Sequence, residues 1–240
     1  MVVANIMYKL SSFANYSMLT YNKEDVINIL NIFEDSTIAP FLAQEIREDG
    51  TVSQRMHFIA QNGLLLIQIN SARIDITLNS NSKEGFQEKE IPEIQDKLTA
   101  AIKNLYTIFS ERAPLPHRLA WNTSYVYFEI TDSEIKEFRE KFLKELDFFK
   151  NTCLNDNVIR YATQREMTIN NETEKINTLA TINSYITNPR TEDEVNGYKI
   201  DYDINTWQGN NLNRFSMLSI SQFVDGALLI QKELNKEILP

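Results

Sequence analysis

Residues 55–70 have the sequence RMHFIAQNGLLLIQIN, and this stretch carries the clearest signal for the fold. Asn62-Gly63 is the dipeptide preferred in two-residue hairpin turns, because both central positions of such a turn require positive φ. A turn at this dipeptide places Phe58 opposite Ile67 on one face and His57 opposite Gln68 on the other. The stretch therefore predicts an antiparallel hairpin with one buried face and one mostly polar face.

The patterns around this hairpin order the rest of the first half. A mixed apolar and polar segment at residues 5–13 predicts a strand, and Asn22 is placed to cap a following helix. Extended segments are expected from Phe41 and through Leu78, on either side of the hairpin. An apolar stripe at helical spacing, ending near Ser110, predicts a long helix.

The same order then restarts in the second half. Residues 118–130 predict a strand, and Thr131 with Glu134 forms a capping box before an amphipathic helix that reaches Phe149. Further extended segments and a terminal helix follow; the extended segments lie at residues 158–170, 175–187 and 198–206.

We therefore predict an α+β protein made of two pseudo-repeats with the order β-α-β4-α, in which curved antiparallel sheets each pack on a long helix. The halves span residues 1–113 and 117–240. A proline-bearing seam at residues 112–117 lies between them. The alternative that stays open is that the two halves merge into one domain.

This order resembles that of the TATA-box-binding-protein-like and helix-grip folds. The chain also resembles an uncharacterised, sporadically distributed family of bacterial proteins, and the resemblance lies in residues 55–59, 66–69, 121–130 and 198–205 with the terminal helix. It implies the shape of the fold and an accessory cytosolic role, such as defence, immunity to a toxin or regulation. It implies no activity, because function depends on sites rather than on folds.

The composition removes most patterns that announce chemistry. The chain has one cysteine, two histidines and six glycines among its 240 residues, and no glycine-rich phosphate-binding loop occurs in it. We predict no cofactor and no structural zinc site. The formal net charge of −9 opposes broad binding to nucleic acid. No apolar run reaches the ~20 residues of a membrane helix, so we expect a cytoplasmic protein that does not contact a membrane.

Three aromatic residues of one strand, Trp121, Tyr125 and Tyr127, share a face. They would line a ligand cavity under the sheet or belong to the core, and the core is favoured. Because the opposite face of the strand is also apolar, we expect a central strand covered on both sides. Trp207, in a loop after a later strand, is a candidate for an exposed anchor in a partner interface or for a lid on the core.

Two polar groups are candidates for chemistry. His57 with Arg55 and Arg73, near Asp75, would form an anion site or an acid-base pair on the polar sheet face, whereas an ordinary surface role is favoured.

Asp201 and Asp203 lie two apart on one strand face, as a metal-dependent hydrolase or nuclease would require. The simpler interpretation is the solvated side of a half-buried strand. Cys153 and His117 have less support, and an inert thiol is expected for Cys153.

We conclude from the sequence that the chain is a non-enzymatic cytosolic protein that binds another protein or acts as a scaffold. Its partner is expected to be another protein or a second copy of itself. One alternative is a small-ligand-binding module with a pocket between sheet and helix. A second alternative is a metal-dependent hydrolase or nuclease that uses Asp201 and Asp203.

Overall fold

The computed structural model describes residues 2–33, 38–46, 50–60, 62–128, 131–142, 158–187 and 195–239. These ranges contain nine β-strands and four α-helices. The strands are β1 Val2–Phe13, β2 Ile38–Ile46, β3 Val52–Ala60, β4 Leu65–Ile69, β5 Arg73–Asn79, β6 Arg118–Phe128, β7 Val158–Ile169, β8 Glu172–Thr187 and β9 Val195–Thr206, and the helices are α1 Lys23–Ile32, α2 Ile91–Phe109, α3 Asp132–Phe142 and α4 Met217–Ile238. The predicted α+β class is confirmed. Cys153 and the predicted end of the third helix at Phe149 lie outside the described residues.

All nine strands belong to one antiparallel sheet with the order β2-β3-β4-β5-β1-β6-β9-β8-β7. At its centre β1 pairs with β6, from Val2 opposite Phe128 to Phe13 opposite Arg118. The predicted pair of curved sheets is therefore a single sheet. The reason is physical: periodicity identifies a strand, but its neighbours depend on contacts between residues that are far apart in sequence.

The hairpin of residues 55–70 forms with the predicted register, in which Phe58 lies opposite Ile67 and His57 opposite Gln68. Its turn differs from the prediction. Gly63 has a φ of +71°, whereas Asn62 is not among the described residues with positive φ. The Asn62 side chain instead accepts a hydrogen bond of 3.0 Å from the amide of Leu64, as an Asx-type turn does. The dipeptide therefore makes the turn through a side chain as well as through glycine.

The four described helices all pack on one face of the sheet, which we call the helical face. The long helix α2 lies against β5 and β1, and α4 lies against β6, β7 and β9. The predicted apolar stripe of α2 is buried, with Leu98, Ile102 and Leu105 fully inside the core. Each such side chain contributes about 1.5–3 kcal/mol by leaving water. None of the helices in the described ranges is both long and apolar enough to cross a membrane.

Two predicted helix caps are confirmed. Asn22 accepts hydrogen bonds from the amides of Glu24, at 2.8 Å, and of Asp25. Thr131 and Glu134 form the reciprocal contacts of a capping box, with the Thr131 amide 2.7 Å from Glu134 Oε2. Both caps satisfy amide groups that have no partner inside the first turn of a helix, so the start of each helix is fixed by local sequence.

The seam between the halves is held by hydrogen bonds. The amide of His117 donates to the carbonyl of Phe13 at 2.9 Å, and the carbonyl of Pro116 accepts from Arg214 and Phe215. The Arg214 guanidinium pairs with Glu174 at 2.6 Å, and its Nη1 donates to the carbonyls of His117, Asn210 and Leu212. One arginine therefore connects the seam to β8 and to the loop that precedes α4.

Candidate functional site

The aromatic strand face that was a candidate pocket wall belongs to the core. Trp121 is fully buried, Tyr127 is 2% exposed, and the ring of Tyr127 lies 5.4 Å from that of Phe138 in α3. Trp121, Tyr125 and Tyr127 all point to the helical face. Val126, on the opposite face, is also buried. Strand β6 is therefore internal to the sheet and buried on both faces, as expected, while the described helices pack on one face only.

A single glutamine of α4 joins the polar atoms of Trp121 and Tyr125 to that of Tyr8 in β1. Gln231 Oε1 accepts from Trp121 Nε1 at 2.9 Å, and its Nε2 donates to the hydroxyls of Tyr125, at 2.5 Å, and of Tyr8. Asn235 Nδ2 also donates to the Tyr125 hydroxyl, at 2.9 Å. Burial raises the pKa of Tyr125. The indole and amide donors of this network all have acceptors inside the core; Asn235 Oδ1 is the network atom that lacks a partner among the described residues.

A cavity of about 820 Å³ lies elsewhere, between α2 and the N-terminal strands. Its floor is apolar and includes Ile76 and Leu98, and its rim carries Asn104 together with Glu93 and Lys97, which form an ion pair of 2.7 Å. This combination of apolar floor and few polar groups is typical of small-molecule sites. The sequence did not indicate this cavity, because its walls include α2, the β3–β4 hairpin and the end of α1.

The face of the sheet opposite the four helices is the second candidate surface, and we call it the open face. The strand registers place eight charged side chains on it, which come from β1, β3, β5, β6 and β9: Lys9, Arg55, Arg73, Asp75, Arg118, Lys199, Asp201 and Asp203. Five of them were singled out from the sequence: Arg55, Arg73, Asp75, Asp201 and Asp203. Exposed apolar residues accompany them, with Phe41 41% and Ile59 40% exposed. The open face therefore offers both signs of charge and apolar contact area.

Arg55 is part of the structure of this face rather than an accessible anion ligand. The residue is fully buried; its Nε donates to Glu45 at 2.6 Å, and its Nη1 donates to the carbonyls of Ser17 and Leu19, each at 3.2 Å. Burial opposes ionisation of Glu45, but hydrogen bonds from Ser71 and Arg55 outweigh it and lower the pKa of that carboxyl group. The arginine thus anchors the loop after β1 to the sheet.

His57 and Arg73 also have partners within the protein. The His57 ring packs edge-on against Phe41, with ring centroids 5.2 Å apart, and its Nε2 lies 3.2 Å from Asn70 Oδ1. Burial lowers the pKa of His57, although the contact with Asn70 opposes this effect. Arg73 Nε lies 2.8 Å from Asp75, and the Arg73 side chain is 48% exposed. The three basic residues share one face, as expected, without converging on a common anion site.

Asp201 and Asp203 lie on the open face beside other polar groups. Asp201 accepts from Ser124 Oγ at 2.5 Å and lies 3.0 Å from Lys199 Nζ, and Asp203 accepts from Asn205 at 3.1 Å. In the part of the chain that the structure describes, no three His, Cys, Asp or Glu residues lie close enough together to hold a metal ion. The arrangement is that of the solvated side of a half-buried strand.

Trp207 and His117 lie at the end of the sheet where β9 stops and β6 starts. Trp207 is 41% exposed, with the Lys175 ammonium group 5.3 Å from its ring centroid. It is thus an accessible aromatic surface next to a cation. His117 is the last residue of the seam, and burial lowers the pKa of its imidazole.

One open-face group was not found from the sequence. Phe13 of β1 lies opposite Arg73 of β5 on one side and opposite Arg118 of β6 on the other. The Arg118 guanidinium carbon lies 4.6 Å from the Phe13 ring centroid, within the range of a cation–π contact. The only signal in the sequence would be the pairing of β1 with both β5 and β6, which local patterns do not reveal.

The chain matches none of the family models compared with it, and it matches no curated protein. Its function must therefore be argued from the surfaces described above. Two of them present accessible chemistry: the open face, with its paired charges and exposed apolar side chains, and the cavity beneath α2.

Proposed function

We propose that the protein is a non-enzymatic cytosolic scaffold that binds another protein through the open face of its sheet. The observation that carries this proposal is the one-sided packing: the described helices cover the helical face, while the open face keeps Arg73, Phe41 and Ile59 exposed. Arginine and aromatic side chains are enriched at the centres of protein interfaces. An antiparallel sheet often leaves one face in water, so the composition of that face is what favours recognition.

The open face also contains polar atoms without partners among the described residues. They include Asp75 Oδ1, Arg55 Nη2 and Arg118 Nε, all of which are buried. Each buried unsatisfied polar atom costs about 1–3 kcal/mol, and native proteins contain few of them. Because these atoms are not accessible from outside the chain, a docked partner would not reach them, and recognition depends on the exposed side chains of the face instead.

The chemistry of the face favours a protein over nucleic acid. Carboxylates alternate with cations in the pairs Arg73–Asp75, at 2.8 Å, and Lys199–Asp201, at 3.0 Å. These carboxylates, together with the protein's formal net charge of −9, would repel the phosphate backbone of a nucleic acid. A partner protein with both signs of charge is the complement of such a surface.

The test compares two exposed apolar residues changed to the same charge. Ile59→Asp alters the open face, and Leu229→Asp alters an exposed position of α4 that is 64% accessible. A partner is first isolated from the source cell and purified, and its affinity is then measured by calorimetry. We expect Ile59→Asp to weaken binding at least about tenfold, which corresponds to about 1.4 kcal/mol, while Leu229→Asp has no effect. Equal affinities for both variants and the parent, with unchanged melting temperatures, would contradict the proposal.

A second candidate function is binding of a small apolar ligand in the cavity beneath α2. Its volume of about 820 Å³ lies within the usual range for ligand pockets, and it takes the place of the alternative pocket lined by Trp121, Tyr125 and Tyr127. Native mass spectrometry of the protein from its source would detect a co-purified molecule. Ala100→Trp, which places a large ring at the cavity wall, should abolish that adduct. Retention of the adduct by this variant would show that the molecule binds elsewhere.

The two halves are, in our proposal, pseudo-repeats that arose by duplication. Outward from the central β1–β6 pair, the order is β5-β4-β3-β2 on one side and β9-β8-β7 on the other. In both halves the strand before the first helix is central, and the strand before the last helix lies beside it. The accessory role in a bacterial defence, immunity or regulatory module stays a prediction from the resemblance.

A further inference from the structure

The edge strand β7, Val158–Ile169, pairs along its whole length with β8 on one side only. No other described strand lies along its outer side. Most of its residues are exposed, including Val158 at 64% and Tyr161 at 46%. An edge of this kind presents unpaired backbone donors and acceptors to any further strand.

The opposite edge of the sheet differs. Strand β2, Ile38–Ile46, contains Pro40 opposite Phe58, and proline removes a backbone donor from an edge. Strand β7 has the sequence VIRYATQREMTI, which contains neither proline nor glycine. Proteins that avoid edge pairing use proline or charged side chains at the edge. Strand β7 has no proline, so its charged residues decide whether it can pair with another strand.

The charges of β7 decide which strand would fit. Arg160 lies opposite Thr181 and Glu166 lies opposite Lys175 within the sheet, which puts both side chains on the open face. When Thr163 faces Thr163 of a second, antiparallel copy, Arg160 lies opposite Glu166 of that copy, and Glu166 lies opposite its Arg160. Opposite charges directly across two strands stabilise their pairing.

The neighbouring registers lack this match. In an antiparallel pair, a residue whose backbone N–H and C=O point towards the other strand lies opposite a residue whose groups do the same. The two-fold axis must therefore pass between two copies of the same residue. An axis at Ala162 places Arg160 opposite Gln164, and one at Gln164 places Arg160 opposite Thr168. An axis at Arg165 places two arginines opposite each other. Thr163 is thus the position that brings both charged pairs together.

We propose that the protein forms a two-fold symmetric dimer in which β7 pairs antiparallel with β7 of a second copy, with Thr163 on the axis. The contact is isologous, as in most homodimers. On the helical face the same register places Tyr161 opposite Arg165 of the second copy. The two open faces then form one continuous surface, which would engage a repeated or two-fold symmetric partner with higher avidity than a single copy.

The experiment measures molar mass by sedimentation equilibrium over protein concentrations up to about 100 µM, because dimerisation depends on concentration. The chain mass is 27.9 kDa, so a dimer has twice that value. Arg160→Glu and Glu166→Arg should each weaken the dimer at least tenfold. The double variant Arg160→Glu/Glu166→Arg should restore it, because the charges are then exchanged across the axis. Lys232→Glu, on exposed α4, is the matched control and should leave the dimer unchanged.

A chain that stays monomeric at every concentration would overturn the proposal. So would a dimer that both single charge reversals leave intact, or one that the double variant fails to restore. Because both substituted side chains are exposed, each variant should melt like the parent at a concentration where the parent is monomeric, and a melting scan at that concentration checks this. The dimer proposal does not depend on the partner-binding function. A protein that dimerises but binds no partner would support the dimer alone, and a monomer that binds a partner would support the partner-binding function alone.

Discussion

Replacing Gln231 by leucine tests whether the aromatic face of β6 is a satisfied core or a ligand site. The change keeps side-chain size but removes the acceptor of Trp121 Nε1, which lies 2.9 Å from Gln231 Oε1. Tyr125 keeps Asn235 as a donor, at 2.9 Å. One buried indole N–H is therefore left without an acceptor, which costs about 1–3 kcal/mol. We expect Gln231→Leu to lower the free energy of unfolding by about 2 kcal/mol.

Thermal unfolding followed by circular dichroism measures this loss. For a chain of this size each kcal/mol moves the melting temperature by about 2–4 °C, so a decrease of about 4–8 °C is expected. Gln208→Leu, in an exposed loop, is the matched control and should stay within about 0.5 kcal/mol of the parent. In a Trp121→Phe background the cost of Gln231→Leu should fall by about 1 kcal/mol, because the donor is gone. A melting temperature within 1 °C of the parent for Gln231→Leu would refute this reasoning.

Two further predictions concern charged and titratable groups. Arg214→Met should lower the free energy of unfolding by about 3–5 kcal/mol, because it leaves the Glu174 carboxylate without its cation at a position that is only 11% exposed. Urea denaturation measures this loss, and a value below about 1 kcal/mol would contradict the connecting role of Arg214. Since burial lowers the pKa of His57 against the opposing effect of Asn70, the neutral imidazole is favoured in the folded state. The buried neutral His57 therefore contributes to the stability of the protein above about pH 6.5, the pKa of an unperturbed histidine. This contribution is lost as the pH falls through the lower pKa of His57 in the folded state. An NMR titration of the His57 ring with a midpoint at or above about pH 6.5 would contradict this prediction. So would a His57→Gln variant that loses stability towards acid pH as steeply as the parent.

The features that sequence predicted correctly are local ones. The register of the 55–70 hairpin, the buried stripe of α2 and the caps at Asn22 and Thr131 each depend on residues within a few positions of one another. Turn dipeptides, helical spacing and capping side chains act over such distances. Even here the prediction was incomplete, since the turn uses the Asn62 side chain in place of a second positive φ.

The features that sequence missed join residues that are far apart in the chain. The single sheet depends on β1 pairing with β6, and the same pairing places Phe13 between Arg73 and Arg118. The cavity beneath α2 is likewise lined by five separate segments: the end of α1, the β3–β4 hairpin, β5, the loop at Phe86 and α2. Alternation of polar and apolar residues tells which face a side chain takes, but it does not tell which strand lies next to it.

The candidate site residues follow the same division. That His57, Arg55 and Arg73 share a face was predictable, because strand alternation and the hairpin register place them there. That Arg55 is occupied by Glu45 and by the carbonyls of Ser17 and Leu19 was not, because the loop after β1 reaches Arg55 only in the folded chain. A charged residue in a strand pattern therefore identifies a face but not whether its charge is available.

Availability of charge also connects the two proposals. On the central strands of the open face Arg55, Arg73 and Lys199 are already paired, so a partner gains little from a single salt bridge with them and must instead fit the arrangement of pairs and apolar residues. On β7, by contrast, Arg160 and Glu166 form none of the ion pairs found among the described residues. A two-fold axis at Thr163 would pair Arg160 of one copy with Glu166 of the other. The two charges therefore favour a second copy of the chain over an unrelated strand. A dimer built in this way would join the two open faces and would use only the edge charges Arg160 and Glu166 of each.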